Sequence, residues 1–407
     1  MTSVDQQEAN EPGWFQDPWG AYAWRWWDGH AWTANVSLSK TTQPKLPAWL
    51  SVPVCVGSLL TIPLTVVFLF TAPVQVLFSF TPLAILFPGL WWLNRIEPQP
   101  WASRVHALLW GALFATLISG FSNDLTALFI GSDIATIVSA PVVEEATKGL
   151  AIVWALRRKE IDGVMDGVVI GCWSALGFAV FENMLYFAAA PNVGSLVQTI
   201  LLRGFLSPFA HPLFTFWTGL AIGLSVRWQQ SRWLHILWGY PLAVVGHAGW
   251  NGTLTYAAEI NSDRIVWYGY AGYLALLLIV LIGLFLIRSN QQQMFVRQIP
   301  LLSARYVISK KEIEVFSSWR TLLATRRSLT SNQTKNFDRL HAALAKLALA
   351  HGGPAKVSRA QEELLASQLQ VARAEAFANA STDDIEQFEA NPNFFLGIGY
   401  FGRYQLS

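Results

Sequence analysis

Cysteine and charge are scarce in this chain. Cys55 and Cys172 are the only two cysteines among 407 residues, and both fall in apolar stretches. That excludes a disulfide framework and a cysteine-ligated metal site, and leaves both residues as small apolar side chains. Charged residues make up 13% of the chain, against ~25% in typical soluble domains. The shortage excludes an ordinary soluble globular enzyme. A net charge of +2 says little, because the placement of the charges matters more than their sum. The first forty residues contain no basic stretch followed by an apolar run, so no cleavable signal peptide is expected. The C-terminal region has no phosphate loop, metal motif or nucleic-acid motif, and no nucleic-acid partner is expected.

Hydrophobic residues make up 53% of the chain, with twenty tryptophans among them. Several apolar runs approach the ~20 residues that cross a bilayer core. The fold class expected is an all-α polytopic membrane protein with about eight transmembrane helices. The spans are read at residues 49–70, 74–93, 104–120, 131–156, 164–188, 199–226, 233–257 and 265–287. Pro53, Pro63, Pro73, Pro82 and Pro88 predict kinks in the first two. Basic residues cluster on alternate loops: Lys40 and Lys45, Arg95 and Arg104, Arg157 to Lys159, Arg227 and Arg232, Arg288 and Arg297. The loops between, near 71–73, 121–130, 189–198 and 258–264, hold only Arg264. This alternation predicts a multi-pass plasma-membrane protein with both termini in the cytoplasm.

Soluble parts flank the spans. Residues 1–10 read as disordered and residues 11–36 as a Trp-rich, β-like cytoplasmic module. Its turn residues (Pro12-Gly13, Asp28-Gly29) separate short aromatic strands, and stacked tryptophans must supply its core. This stretch resembles a short module of unknown function found at the ends of many bacterial membrane proteins. Residues 37–48 form a polar linker, 49–288 the membrane domain and 289–407 a cytoplasmic α-helical region. In the last, Val315, Trp319, Leu322 and Leu323 mark one amphipathic helix. Phe337, Leu340, Leu344 and Leu347 mark a second, and Leu365, Leu369 and Ala372 a third. His351-Gly352-Gly353-Pro354 separates the last two. These helices read as an appendage for a cytoplasmic protein partner.

Ionisable groups inside apolar helices stand out, because each costs about 2.5–3.5 kcal/mol on insertion scales. Span four carries Glu144, Glu145 and Lys148, and span five Asp166, Glu182 and Asn183. Span six carries Arg203 and His211, and span seven His247 and Asn251. At ~1.5 Å per residue, Glu144, Glu182, His211, His247 and Asn251 lie roughly 18–27 Å from the cytoplasmic edge. Asp166 lies too close to that edge to join them. Glu144 and Lys148 are spaced i, i+4 and share a helix face, with Glu145 about 100° round and nearer Lys148 by the i+3 route. His247 and Asn251 share a face in the same way. Gly163, Gly167, Gly171 and Gly177 leave span five bare for close helix approach.

Taken singly, these groups read as structural. An intramembrane His or Asn commonly bridges helices, Glu144–Lys148 can be an ion pair, and Arg203 and Asp166 read as anchors. Three carboxylates and two imidazoles at one depth exceed what holding four helices requires. Two chemistries are open to such a set. In the first, a carboxylate at low dielectric activates water while His and Asn donate to an oxyanion. In the second, His211, His247 and a carboxylate hold a metal, for which zinc suits the ligand types. Both need water at that depth, hence a cavity among spans four to seven.

Four motifs on successive spans, Glu144-Glu145-x-x-Lys148, Phe178-x-x-x-Glu182-Asn183, His211-x-x-x-Thr215 and His247-x-x-x-Asn251, resemble the PrsW family of intramembrane proteases, relatives of the CAAX prenyl proteases. The Arg95-Ile96-Glu97-Pro98-Gln99-Pro100 loop and Asp166-Gly167 add to the likeness, which covers about residues 50–260. The resemblance implies a glutamate- or metal-dependent endopeptidase acting on a membrane protein substrate in the bilayer, such as an anti-sigma-factor. By it, Glu144 activates water and Glu145 assists. Glu182 and His211 hold water or metal, and His247 and Asn251 bind metal or stabilise the oxyanion. The catalytic set is then Glu144, Glu145, His247 and Asn251, and the metal set Glu182, His211 and His247. A proton- or ion-coupled transporter and a non-catalytic membrane scaffold are the alternatives. No inverted repeat between halves supports the transporter.

Overall fold

The computed structural model describes residues 13–16, 24–27, 29–30, 32–37, 51–306 and 310–354, with a few further positions up to residue 372. The expected disordered residues 1–10 and nearly all of the linker lie outside the described residues. The chain divides into two compact units, one of residues 44–289 and the other containing the rest.

The unit of residues 44–289 is helical. Eight helices stand at the eight expected stretches: α1, Val52–Thr71; α2, Pro73–Leu93; α3, Trp101–Phe129; α4, Ala140–Arg157; α5, Val164–Ala188; α6, Val193–Arg227; α7, Arg232–Glu259; and α8, Asp263–Tyr306. Six of them, all but α4 and α7, are long and apolar enough to cross a membrane. The other two carry Glu144, Glu145, Lys148 and His247, so the polar groups of interest also lower the hydropathy of their own helices. Of the expected kinks, α2 breaks at Phe80, while Pro63 and Pro88 lie inside continuous helix.

One expected loop is helix. Residues 121–129 continue α3, although 121–130 reads as a loop between spans three and four. Asn123 and Thr126 on this stretch bond across to Ser139. Ser139 Oγ donates to Asn123 Oδ1 at 3.0 Å, and Thr126 Oγ1 donates to Ser139 Oγ at 3.1 Å. Three π-helical stretches interrupt the α geometry, at Trp110–Ala115, Ala135–Ser139 and Ile200–Leu206. Such widened turns often mark functional sites. Here the second leads directly into α4 and the third carries Arg203.

Helix α5 is the centre of this unit: Val168, Ile170, Ala175, Leu176 and Phe187 along it are fully buried. Without a hydrophobic force between helices in lipid, close packing of small residues holds them together. A Cβ on Gly177 would overlap the carbonyl of Leu108 on α3, and one on Gly111 of α3 would overlap that of Ser174. On another side, Gly167 and Gly219 bring α5 and α6 into backbone contact in the same way. Gly171 faces Ile152 of α4. Gly163 has a different job from the one its spacing suggests. It is the N-cap of α5, and its N–H donates to Asp166 Oδ2 at 2.9 Å.

The described residues before residue 44 and after residue 289, the end of α8 included, form the second unit. Strands β1 (Gly13–Gln16), β2 (Trp24–Trp27) and β3 (Trp32–Ser37) pair antiparallel in the order β1-β2-β3, with Trp27 edge-on to Trp32. Helices α9 (Lys310–Ser317), α10 (Trp319–Ser328) and α11 (Ser331–His351) follow α8. The single helix expected from Val315 to Leu323 is two helices, because Ser318 is extended (φ −123°, ψ 127°). Phe316 stacks on Phe337 and on His341, 5.4 Å from each, and Leu340, Leu344 and Leu347 are buried with them.

Adding side chains at the glycine contacts separates packing from propensity. Gly177→Val should lower stability by about 1–3 kcal/mol or more through overpacking against α3. Gly120→Ala, where a Cβ meets nothing within 4 Å, should hold or raise it by up to about 1 kcal/mol. Thermal unfolding of the detergent-solubilised protein measures both.

Candidate active site

Pro141 lies in the first turn of α4, directly after the π-helical stretch, and the helix then presents Glu144, Glu145 and Lys148 on adjoining faces. Lys148 is the hub. Its Nζ lies 3.2 Å from Glu144 Oε2, 3.0 Å from Glu145 Oε1 and 3.0 Å from His211 Nδ1. It also sits 4.0 Å from the centre of the Phe178 ring. The ammonium is fully buried, so every donor it has must meet an acceptor or a π face.

The two glutamates point different ways. Glu145 is wholly enclosed: Thr215 Oγ1 donates to its Oε2 at 2.7 Å, and His247 Nδ1 lies 3.0 Å from its Oε1. Glu144 lines a cavity of ≈ 390 Å³, with its Oε2 3.9 Å from His247 Nε2. Its other oxygen has no hydrogen bond among the described residues. The Glu145 contact favours the His247 tautomer protonated on Nδ1, which leaves the Nε2 lone pair facing Glu144. A carboxylate behind an imidazole in this way fixes its orientation and raises its basicity.

Helix α5 contributes Glu182 to the same cavity. Its Oε2 lies 2.8 Å from His211 Nε2 and also takes a hydrogen bond from Arg203 Nη2. Arg203 Nε donates to Asn183 Oδ1 at 2.9 Å, and the guanidinium lies 4.0 Å from the centre of the Tyr186 ring. His211 is therefore held at both ring nitrogens, by Lys148 at Nδ1 and by Glu182 at Nε2. Asn251 shares the cavity wall with His247, and its amide donates to the carbonyl of Thr136 at 2.9 Å.

The structure thus brings together Glu144, Glu182, His211, His247 and Asn251 around one cavity, with Glu145 and Lys148 behind its wall. Asp166 stands apart, as its depth implied, accepting from the backbone N–H groups of Asp162 and Gly163. Three contributors have no role in the sequence reading. Arg203 passes there as an anchor, Thr215 as a motif position and Tyr186 not at all. The signal for Arg203 was its charge, since a guanidinium inside an apolar span calls for a carboxylate partner. No pattern in the sequence points to Tyr186.

A divalent metal would fit. Glu144, His211 and His247 each offer one donor atom, all within 4.8 Å of one another. One carboxylate and two imidazoles, with a fourth position for water, suit zinc. Glu182, expected as the carboxylate ligand, is engaged by Arg203 and His211 instead.

The central cation has a testable weight. Lys148→Met should lower stability by about 3–5 kcal/mol, because it strands two buried carboxylates. Adding Glu145→Gln should restore part of that loss, and thermal unfolding of the single and double variants checks both.

Comparison with known proteins finds a family likeness over the same segment. The model of the family described as PrsW family intramembrane metalloprotease matches residues 99–284, and a protein of unknown function family, DUF2510, matches residues 12–45. "Protease PrsW" of Clostridioides difficile (strain 630) is 31% identical over 144 residues, 33% of this chain and 60% of that protein. "Protease PrsW" of Geobacillus kaustophilus (strain HTA426) is 27% identical over 148 residues, 36% of this chain and 63% of that protein. The chain thus spans about three fifths of the length of these curated relatives. No solved structure matches. Over residues 99–284, the stretch that builds the Glu144–His247 cavity, the chain is similar to the PrsW family of intramembrane metalloproteases.

Proposed function

We propose that the chain is an intramembrane endopeptidase that hydrolyses a peptide bond of a membrane protein substrate at the Glu144–His247 cavity. One observation carries this. The polar residues of four separate motifs meet at a single cavity, whose ≈ 390 Å³ lies in the usual range for ligand sites.

In this reading Glu144 is the water-activating base. Lys148 holds its Oε2, and its second oxygen is open to take a proton from a water beside the scissile carbonyl. Glu145 orients His247 through Nδ1, and Thr215 and Lys148 keep Glu145 in place. Asn251 spends one amide hydrogen on Thr136 and has a second to offer a developing oxyanion. Glu182, held by Arg203, fixes His211. Glu144, His211 and His247 would hold a metal, which when bound supplies carbonyl polarisation and an acidified water. The Lys148–His211 contact would have to open for His211 to ligate through Nδ1.

The substrate class that the family likeness implies is a membrane-bound regulator of the anti-sigma-factor type. The alternating basic loops support a plasma-membrane location with both termini cytoplasmic. There the helices after residue 306 would meet a cytoplasmic partner, and the Trp-rich module would remain an accessory part.

Glu144→Gln and His247→Ala should each give a folded membrane protein whose cleavage falls by about 10²–10⁴-fold. Comparative proteomics of cells carrying wild type or either variant reads this out as membrane proteins cut only by the wild type. Wild-type cleavage by both variants would sink the proposal. Metal analysis of the purified protein should find about one zinc per chain, lost in His247→Ala.

A further inference from the structure

The Glu144–His247 cavity extends past the residues of the proposed chemistry. Asn123, Asp124 and Ala127 line it from one side of α3, and Leu254 and Thr255 line it from α7. Thr255 follows His247 by two turns and more on the same helix, about 12 Å at the helical rise. Counting from the bundle end that holds Trp101, Arg157 and Arg232, Glu144 and His247 lie about 20–23 Å in. Asp124 on α3 and Thr255 on α7 both lie about 35 Å in by the same count. Two helices thus place one polar mouth about 12–15 Å beyond the Glu144–His247 level.

The charged residues in this lining differ in how they are matched. Glu144 is paired with Lys148, and Glu182 with Arg203. Asp124 has no hydrogen bond or ion pair among the described residues. It is exposed, so water solvates its carboxylate while the mouth is open. A peptide laid along this wall displaces that water, and the carboxylate then needs a partner from the peptide itself. The lining has no cation to spare, because Arg203 is already held by Glu182. Asn123 is no substitute partner, since its Oδ1 accepts from Ser139 Oγ. A positively charged side chain is the partner that matches Asp124 best.

We propose that Asp124 is a specificity-determining residue, which pairs with a lysine or arginine side chain of the peptide substrate. The inference rests on the proteolytic reading of the cavity and adds a preference to it. An extended peptide advances ~3.3 Å per residue, so it covers the distance from the Glu144–His247 level to Asp124 in about four residues. The basic residue therefore stands about three to five residues from the scissile bond, on the side that runs toward the mouth.

The test maps new chain ends in the membrane proteins of cells that carry the full chain as wild type, Glu144→Gln, Asp124→Asn, Asp124→Glu or Asp124→Lys. Cuts made by wild type and lost in Glu144→Gln belong to this protein. Lys or Arg should be enriched among them about three to five residues from the cut, on one side only. Asp124→Asn should lower the ratio of cuts with that basic residue to cuts without it by up to about fivefold, as for a solvent-accessible ion pair. Asp124→Glu should keep the ratio, and Asp124→Lys should turn the preference toward Asp or Glu. Should one variant fail to reach the membrane, the other two still decide. The absence of any Glu144-dependent cut would overturn the proteolytic reading itself. Glu144-dependent cuts without the basic residue, or an enrichment that survives both Asp124→Asn and Asp124→Lys, would overturn the role of Asp124 alone.

Discussion

A buried ammonium group organises the polar interior of this protein. Lys148 carries its charge into the middle of a helix bundle, where water cannot solvate it, and takes its solvation from Glu144, Glu145, His211 and the Phe178 face. At low dielectric this arrangement stands only while each partner is in place, because a missing acceptor leaves an unmatched charge. Lys148 thereby ties α4 to α5 and α6, and Glu145 carries the tie on to α7 through His247. With Glu182 and Arg203 included, three carboxylates face two cationic side chains, one negative charge in formal excess. A site so balanced suits an added cation or proton.

The same network divides labour between adjacent residues. Glu144 and Glu145 are chemically alike and one residue apart, yet one faces a cavity and the other is enclosed by hydrogen bonds. The enclosed carboxylate sets the imidazole, and the open one leaves an oxygen facing the cavity. Preorganisation of this kind lets a site act without reorganising at the moment of reaction. The geometry depends on close helix approach. Glycines on α3, α5 and α6 bring backbones into contact and set the spacing at which side chains from α4 to α7 can meet.

Much of this was legible in the sequence. Eight apolar stretches, the polar groups inside four of them, their common depth and the exclusion of Asp166 all follow from composition and helical rise. So do the sharing of Lys148 by both glutamates and the common face of His247 and Asn251. Elsewhere local cues misled. Residues 121–130 read as a loop between spans, but here the helix continues and Asn123 bonds to Ser139 within the bundle. Val315 to Leu323 kept helical spacing across a break at Ser318, since spacing alone does not report one extended residue. Gly163 had the interval of a packing glycine and the place of a helix cap.

The sequence alone determined which helices form, which residues lie at a common depth and which pairs share a face, because each depends only on distance along one helix. The tertiary structure decided the partners. It matched Arg203 with Glu182, aimed His247 Nε2 at Glu144 and Nδ1 at Glu145, and set Glu182 against both His211 and Arg203. These choices turn on the rotation of each helix about its axis and on which neighbour it meets. Both are set by packing between residues far apart in the chain, at contacts such as Gly111–Ser174 and Gly167–Gly219, where only the folded bundle brings the surfaces together.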